Sequence, residues 1–221
     1  VSTQSTGKQL FQQVKIIYNE LFKQFSNAIR SLPELSLYFL TIAFLLTCAV
    51  TLKVLQPQFL IMNWNAIINN LEIHRLITSF FFFGPMSIKW LLFIVSHIQY
   101  VVAMEKHYDN KKAFLKMSFF FWVACIIISR FVKLQLPSML FFQALTYLWS
   151  RFNANVNLKI FGLIEIRAQY YPLVELLVGV VQGDSIIVPI LGIVVGHSYW
   201  FIEQILPTII GFDIINFKKM K

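Results

Sequence analysis

Asp184 to Leu206 reads DSIIVPILGIVVGHSYWFIEQIL, an apolar run long enough to cross a bilayer, with Gly192 and Gly196 four residues apart and His197 directly after them. Residues spaced by four share one face of a helix, so the two glycines mark a strip where a neighbouring helix can come close. His197 beside that strip is then one of two things. It is a polar group that hydrogen-bonds across a packing seam, or it is half of a catalytic pair.

The rest of the chain puts this run among several like it. The 221 residues are 57% hydrophobic and 13% charged, with a mean hydropathy of +0.67. A soluble domain carries about a quarter charged residues, so the composition excludes one and points to a polytopic membrane protein. The expected spans are helical, because only helices and closed barrels satisfy their backbone in lipid, and 8 glycines and 7 prolines leave little irregular backbone. They fall near 35–55, 87–104, 113–131, 137–149, 162–181 and 184–206, an all-α bundle of six spans.

Residues 1–30 form a basic arm. Leu10, Val14, Ile17, Leu21, Phe25 and Ala28 recur at steps of three and four, one apolar stripe of an amphipathic helix, with Lys8, Lys15, Lys23 and Arg30 beside it. Such a helix lies on an anionic leaflet or docks on a partner protein, and the stripe serves both. Residues 56–75 are a long loop with Phe59, Trp64, Ile67, Ile68 and Leu71, too apolar for water and expected to sit half in the interface. Residues 213–221 are a short basic tail.

The net charge of +9 has no continuous basic face, which argues against nucleic acid. It follows topology instead. The arm, the turn Lys106–Lys116, the stretch Arg151–Arg167 and the tail hold most of the basic residues, leaving Lys53, Arg75, Lys89, Arg130 and Lys133 opposite. With alternating spans, this predicts both termini on the cytosolic side. Cys48 and Cys125 lie within apolar runs and read as small hydrophobes. His74, His97, His107 and His197 show no metal-ligand spacing, so no metal or cofactor is expected.

A membrane serine hydrolase needs a serine within reach of the histidine and loosened backbone to hold an oxyanion. The fourth span, PSMLFFQALTYLW, has no G-x-S-x-G and only Ser138, at its lip. Here a set of motifs is informative: Ser31-Leu-Pro33, Arg75-Leu-Ile-Thr-Ser-Phe-Phe-Phe-Phe-Gly84, Glu105, Tyr147-Leu-Trp-Ser-Arg-Phe-Asn153, Ile160-Phe-Gly162, Ala168-Gln-Tyr-Tyr-Pro172 and Gly192-Ile-Val-Val-Gly-His197. Together they resemble the Derlins, catalytically inactive rhomboid-like proteins, over residues 31–212.

The resemblance implies a six-helix rhomboid-like bundle and a signature made of Glu105, Tyr147, Trp149, Arg151, Asn153, Gly162, Tyr171 and Pro172. It also implies no enzyme. In active rhomboids the catalytic histidine stands three residues before the first glycine of the pair, where this chain has Pro189; His197 lies roughly 12 Å further along the helix. Gly192, Gly196 and His197 then read as a packing seam.

His74 and Arg75 align with the family's Trp-Arg pair, which helps the first loop sit in and distort lipid; His74 replaces the tryptophan and forgoes an interfacial anchor. Glu165 and Arg167 either pair at a span boundary or snorkel separately to the interface. The implied function is handling of misfolded proteins in endoplasmic-reticulum-associated degradation, by retrotranslocation beside a ubiquitin-ligase complex.

Some features depart from that pattern. The tail lacks the box by which many Derlins recruit a cytosolic AAA ATPase, the arm is longer than usual, and Val1 in place of Met suggests a removed leader segment or recombinant expression. They support an alternative: a Derlin-derived accessory subunit of a large organelle inner-membrane complex, such as a mitochondrial respiratory complex. Lys218-Lys219-Met220-Lys221, in contrast, fits a dilysine retrieval signal of the endoplasmic reticulum, or simple positive-inside charge.

Overall fold

The computed structural model describes residues 29–108, 110–160, 164–181, 183, 185–213 and 218–219, with residues 15, 19, 20, 23, 26 and 27 of the arm. Those arm residues are helical. The six apolar residues of the predicted stripe, and Gly162, lie outside the described set.

Nine helices are described from Glu34 onward. The first, α1 (Glu34–Thr51), follows Pro33, whose fixed φ suits a helix entry. The loop after it is folded: a 3-10 turn at Pro57–Phe59, then α2 (Trp64–Asn69), capped by the Asn63 side chain on the amides of Asn65 and Ala66, then α3 (Arg75–Phe81).

Next come α4 (Ile88–His107), capped by Ser87, and α5 (Lys111–Val132), capped by Asn110 and closed by Lys133 in the left-handed region. α6 (Pro137–Phe152) opens on Pro137. A hairpin of β1 (Asn157–Ile160) and β2 (Ile164–Arg167) pairs antiparallel, Leu158 facing Ile166 and Lys159 facing Glu165. A 3-10 turn leads to α7 (Tyr171–Val181). α8 (Ile187–Trp200) runs through a π-helical segment, Phe201–Ile205, into α9 (Leu206–Ile210). A second, minimal hairpin joins β3 (Phe212–Asp213) to β4 (Lys218–Lys219).

The architecture is an all-α bundle with small hairpins. Among the described residues, three helices are long and apolar enough to cross a membrane by length and composition: Glu34–Thr51, Lys111–Val132 and the continuous Ile187–Ile210. The predicted span over 162–181 is corrected. Ile164–Arg167 is strand and the helix there is only 11 residues long, because the alternation in Ile164-Glu-Ile-Arg167 suits a strand paired with Asn157–Ile160. The final span is likewise shifted, beginning at Ile187 and continuing to Ile210.

α6 is the central post. Leu140, Phe141, Phe142, Ala144, Leu145, Thr146, Leu148 and Ser150 are all buried, covering every side of the helix. Phe80, Phe83 and Phe121 pack edge-on around Phe141 and Phe142, and Phe39 stacks on Phe141. The outward faces of α1, α4 and α7 are apolar and exposed, at Leu45, Leu92 and Leu177 among others, as lipid-facing helices require. Cys48 and Cys125 are free thiols.

Candidate functional site

Along α6, Tyr147 and Arg151 are four residues apart and share a face, while Trp149 points the other way. The signature therefore reaches two sets of neighbours at once. Tyr147 Oη lies 2.8 Å from His197 Nδ1 of α8, and the Arg151 guanidinium sits 4.6 Å over the Trp200 ring of the same helix. On the opposite side, Trp149 packs 4.8 Å from Tyr100 of α4, and Tyr100 in turn lies 5.6 Å from Tyr171 of α7. Pro172 is buried beside it, and the Asn153 side chain closes the end of α6 by donating to the Trp149 carbonyl at 2.9 Å.

The glycines of α8 explain how it comes so close. A Cβ on Gly192 would stand 2.2 Å from Gln143 Cβ, and one on Gly196 would stand 2.6 Å from the Ala144 carbonyl oxygen. Both distances are below any real Cβ contact, so only glycine fits. The structure thus brings Gly192, Gly196 and His197 together with Tyr147 on one seam.

The same geometry separates the residues a hydrolase would need. Ser138 is fully buried and donates to the Phe82 carbonyl at 2.9 Å. His197 meets α6 at Tyr147, nine residues beyond Ser138, which is about 13 Å along the helix axis. Ser138 and His197 cannot share a proton across that distance. Among the described residues no three of His, Cys, Asp and Glu come together as a metal site.

Glu105, at the end of α4, is buried and accepts from the Leu35 amide at 3.0 Å and from the Ser36 amide and hydroxyl, each at 2.6 Å. It holds the start of α1. At the same end of α4, Glu203 in the π-helical segment accepts from Tyr108 at 2.9 Å, tying the helix that continues α8 to α4.

Arg75 is 4% exposed and turned inward. It donates to the carbonyls of Gln58 and Ile61 and pairs with Glu72. It holds the loop's backbone, because a guanidinium's several donors match the carbonyls of a tight loop. His74 remains exposed and lies 3.2 Å from the Phe59 carbonyl. The pairing reading of Glu165 and Arg167 is corrected, since strand register places Lys159 opposite Glu165 with their charges 3.3 Å apart.

The Arg75 hydrogen bond, and then that of Asn70, hold the Glu72 carboxyl below its usual value of 4.5. A carboxylate lowered in this way stabilises the loop above the ordinary range and loses that contribution as pH falls through its folded value. Amide protection factors over 57–75 are expected to be constant from pH 7 to 5 and to drop only below about 4.5, and an Arg75→Ala variant to lose them at every pH.

Two constellations had no reading in the sequence. His97, 8% exposed, faces Glu175 at 3.0 Å between α4 and α7, and Tyr108 reaches Glu203 across 95 residues. A lone acid inside YPLVELLVGVV was the signal for the first.

Comparison with known proteins places these features in a family. The Der1-like family model matches residues 32–216. Derlin-1.1 of Zea mays is 35% identical over 191 residues, spanning 82% of this chain and 76% of its own. Derlin-1 of Oryza sativa subsp. japonica is 32% identical over 185 residues with the same coverage, and Derlin-1 of Arabidopsis thaliana 31% over 187 residues, covering 82% and 70%.

Proposed function

The chain belongs to the Der1-like family, a non-catalytic branch of rhomboid-like membrane proteins, and from that premise we propose that it handles misfolded proteins of the endoplasmic reticulum during their degradation. The observation that carries the non-catalytic half is the separation of Ser138 from His197, each already engaged with another group. What the fold retains is a way of working on the bilayer.

α6 and α7 have 16 and 11 residues, about 24 and 16 Å of helix, against a hydrocarbon core of roughly 30 Å. Short helices thin the lipid beside them, and thinner lipid lowers the cost of moving polar chain across it. On this reading α1, α4, α5, α6, α7 and α8 with α9 are the six spans of a rhomboid-like bundle. Both termini are cytosolic, residues 31–212 form the membrane domain, and a ubiquitin-ligase complex is the partner. The arm over residues 1–30 then docks on that partner or on the leaflet. The alternative role, as a subunit of an organelle inner-membrane complex, rests on the arm and tail; nothing among the described residues favours it.

The test is degradation of a misfolded lumenal client in cells lacking the chain. Wild type and a Ser138→Ala/His197→Ala double variant are both expected to restore it, and the native protein to co-purify with ubiquitin-ligase components. Comigration with a respiratory complex, or failure of a folded double variant, would overturn the reading. His197→Ala alone removes one hydrogen bond and is expected to cost about 1 kcal/mol in detergent unfolding, with Tyr147→Phe costing the same and the pair no more than either.

A further inference from the structure

Arg151, in the last turn of α6, has a guanidinium that is held in place but not paired. It lies 4.6 Å over the Trp200 ring, a contact that fixes its position and leaves its in-plane N–H groups for other partners. Among the described residues its buried Nε has no acceptor, and no carboxylate forms an ion pair with it. Its neighbours are already engaged: Tyr147 with His197, and Glu203 with Tyr108. A partly buried cation without an anion is costly, so the arrangement fits one supplied from outside the chain.

Depth indicates which anion. Phe152 stacks on His107 at 4.2 Å, so α6 ends level with the charged turn that holds Lys106, Lys111 and Lys112. Trp200 stands three residues before Glu203, about 4.5 Å further into the bundle. An indole beside a cation, just inside a charged boundary, is what the headgroup level of a bilayer selects. Deeper along α8, Ile190 and Val194 are exposed apolar residues four apart on its outer side. A charge at the boundary is thus followed inward by an apolar strip.

We propose that Arg151, braced by Trp200, holds the phosphate of one phospholipid, whose acyl chain lies along Val194 and Ile190. Arginine suits this role because its planar fork can donate to two phosphate oxygens at once. The site is preorganised by the seam beside it: Gly192 and Gly196 set α8 directly against α6, which fixes where Trp200 stands relative to Arg151. The proposal needs the outer side of α8 in lipid, and so rests on the six-span reading.

Purified full-length protein in detergent micelles is incubated with dioleoyl phosphatidate or with dioleoylglycerol, which has the same chains and no phosphate, and bound lipid is counted by native mass spectrometry. Phosphatidate is expected to be retained roughly tenfold to a hundredfold better, the range of one hydrogen bond to an ionised group. Arg151→Gln should remove the preference. Lys159→Gln, which deletes an exposed cation of the neighbouring hairpin, should leave it unchanged. In the wild type, phosphatidate with a photoreactive acyl chain should label α8 around Val194 ahead of the exposed face of α1 at Leu45, a readout that needs no variant to fold.

Equal retention of the two lipids, equal labelling of α8 and α1, or a preference that survives Arg151→Gln would overturn the site. An equal fall in Lys159→Gln would overturn it too, since general positive charge would then explain the binding. Displacement of phosphatidate by excess inorganic phosphate would assign the anion to a free phosphate and overturn the lipid. The six-span reading fails separately: a water-soluble maleimide that reacts with Val194→Cys in liposomes overturns that reading, whereas a protected cysteine without phosphate preference overturns the site alone.

Discussion

Gly196→Val is expected to abolish stable folding of the bundle, lowering the unfolding free energy by about 3 kcal/mol or more and cutting the amount of protein recovered from membranes. A Cβ there meets the Ala144 carbonyl oxygen at 2.6 Å, and that atom belongs to the backbone of the central helix, which has neighbours on every side. It cannot shift as a side-chain tip could. Relief requires α8 to move outward, which would break the Tyr147–His197 hydrogen bond and lift Trp200 off Arg151.

In lipid this loss is not offset by hydrophobic attraction, because helices leave one another for an equally apolar solvent and close packing is most of what holds them. Gly192→Ala is expected to fail similarly, with Gln143 Cβ at 2.2 Å. Gly183→Ala is the control: open space surrounds it, and only its φ of +80° is unfavourable, so about 1 kcal/mol is expected. Equal effects at Gly196 and Gly183, read from unfolding in detergent, would show that the seam is not tight.

That seam was legible in the sequence, since two glycines four apart in an apolar run can face only one way. So were α1, α5 and the Ile187–Ile210 helix, whose length and apolarity suffice alone. The stretch before Tyr171 was not. Ile164-Glu-Ile-Arg167 looks like the entry of a helix until its strand partner, Asn157–Ile160, is known. The loop of Arg75 was legible, but its partners were not, because only the fold shows which carbonyls the guanidinium meets. His97 and Glu175 stand 78 positions apart on different helices, so no spacing rule could join them. The best sequence clue was that an acid inside an apolar helix needs a partner somewhere.

Glu105→Ala is expected to cost about 3 to 5 kcal/mol, and the reason lies at the start of a different helix. The residue preceding α1 is Pro33, which has no side-chain acceptor, so the amides of Leu35 and Ser36 in the first turn have no local cap. Those are the two amides an N-terminal Ser or Asp would take. Glu105 takes them from 69 and 70 residues away, its negative charge against the positive end of the α1 dipole and its second contact made by the Ser36 hydroxyl.

Deleting the carboxylate leaves two amides and a buried hydroxyl without acceptors in a place water reaches poorly, which is why the expected loss exceeds that of an ordinary cap. Glu105→Gln keeps one oxygen and should lose about half as much. Pro33→Asp in the Glu105→Ala background should recover about 1 kcal/mol by capping the same amides locally, since Pro33 already has the extended backbone a cap requires. Amide exchange at Leu35 and Ser36 reports the mechanism directly: fast in Glu105→Ala, slowed again by Pro33→Asp. Exchange that stays slow in Glu105→Ala, or a total loss below about 1 kcal/mol, would mean that α1 starts without help from α4.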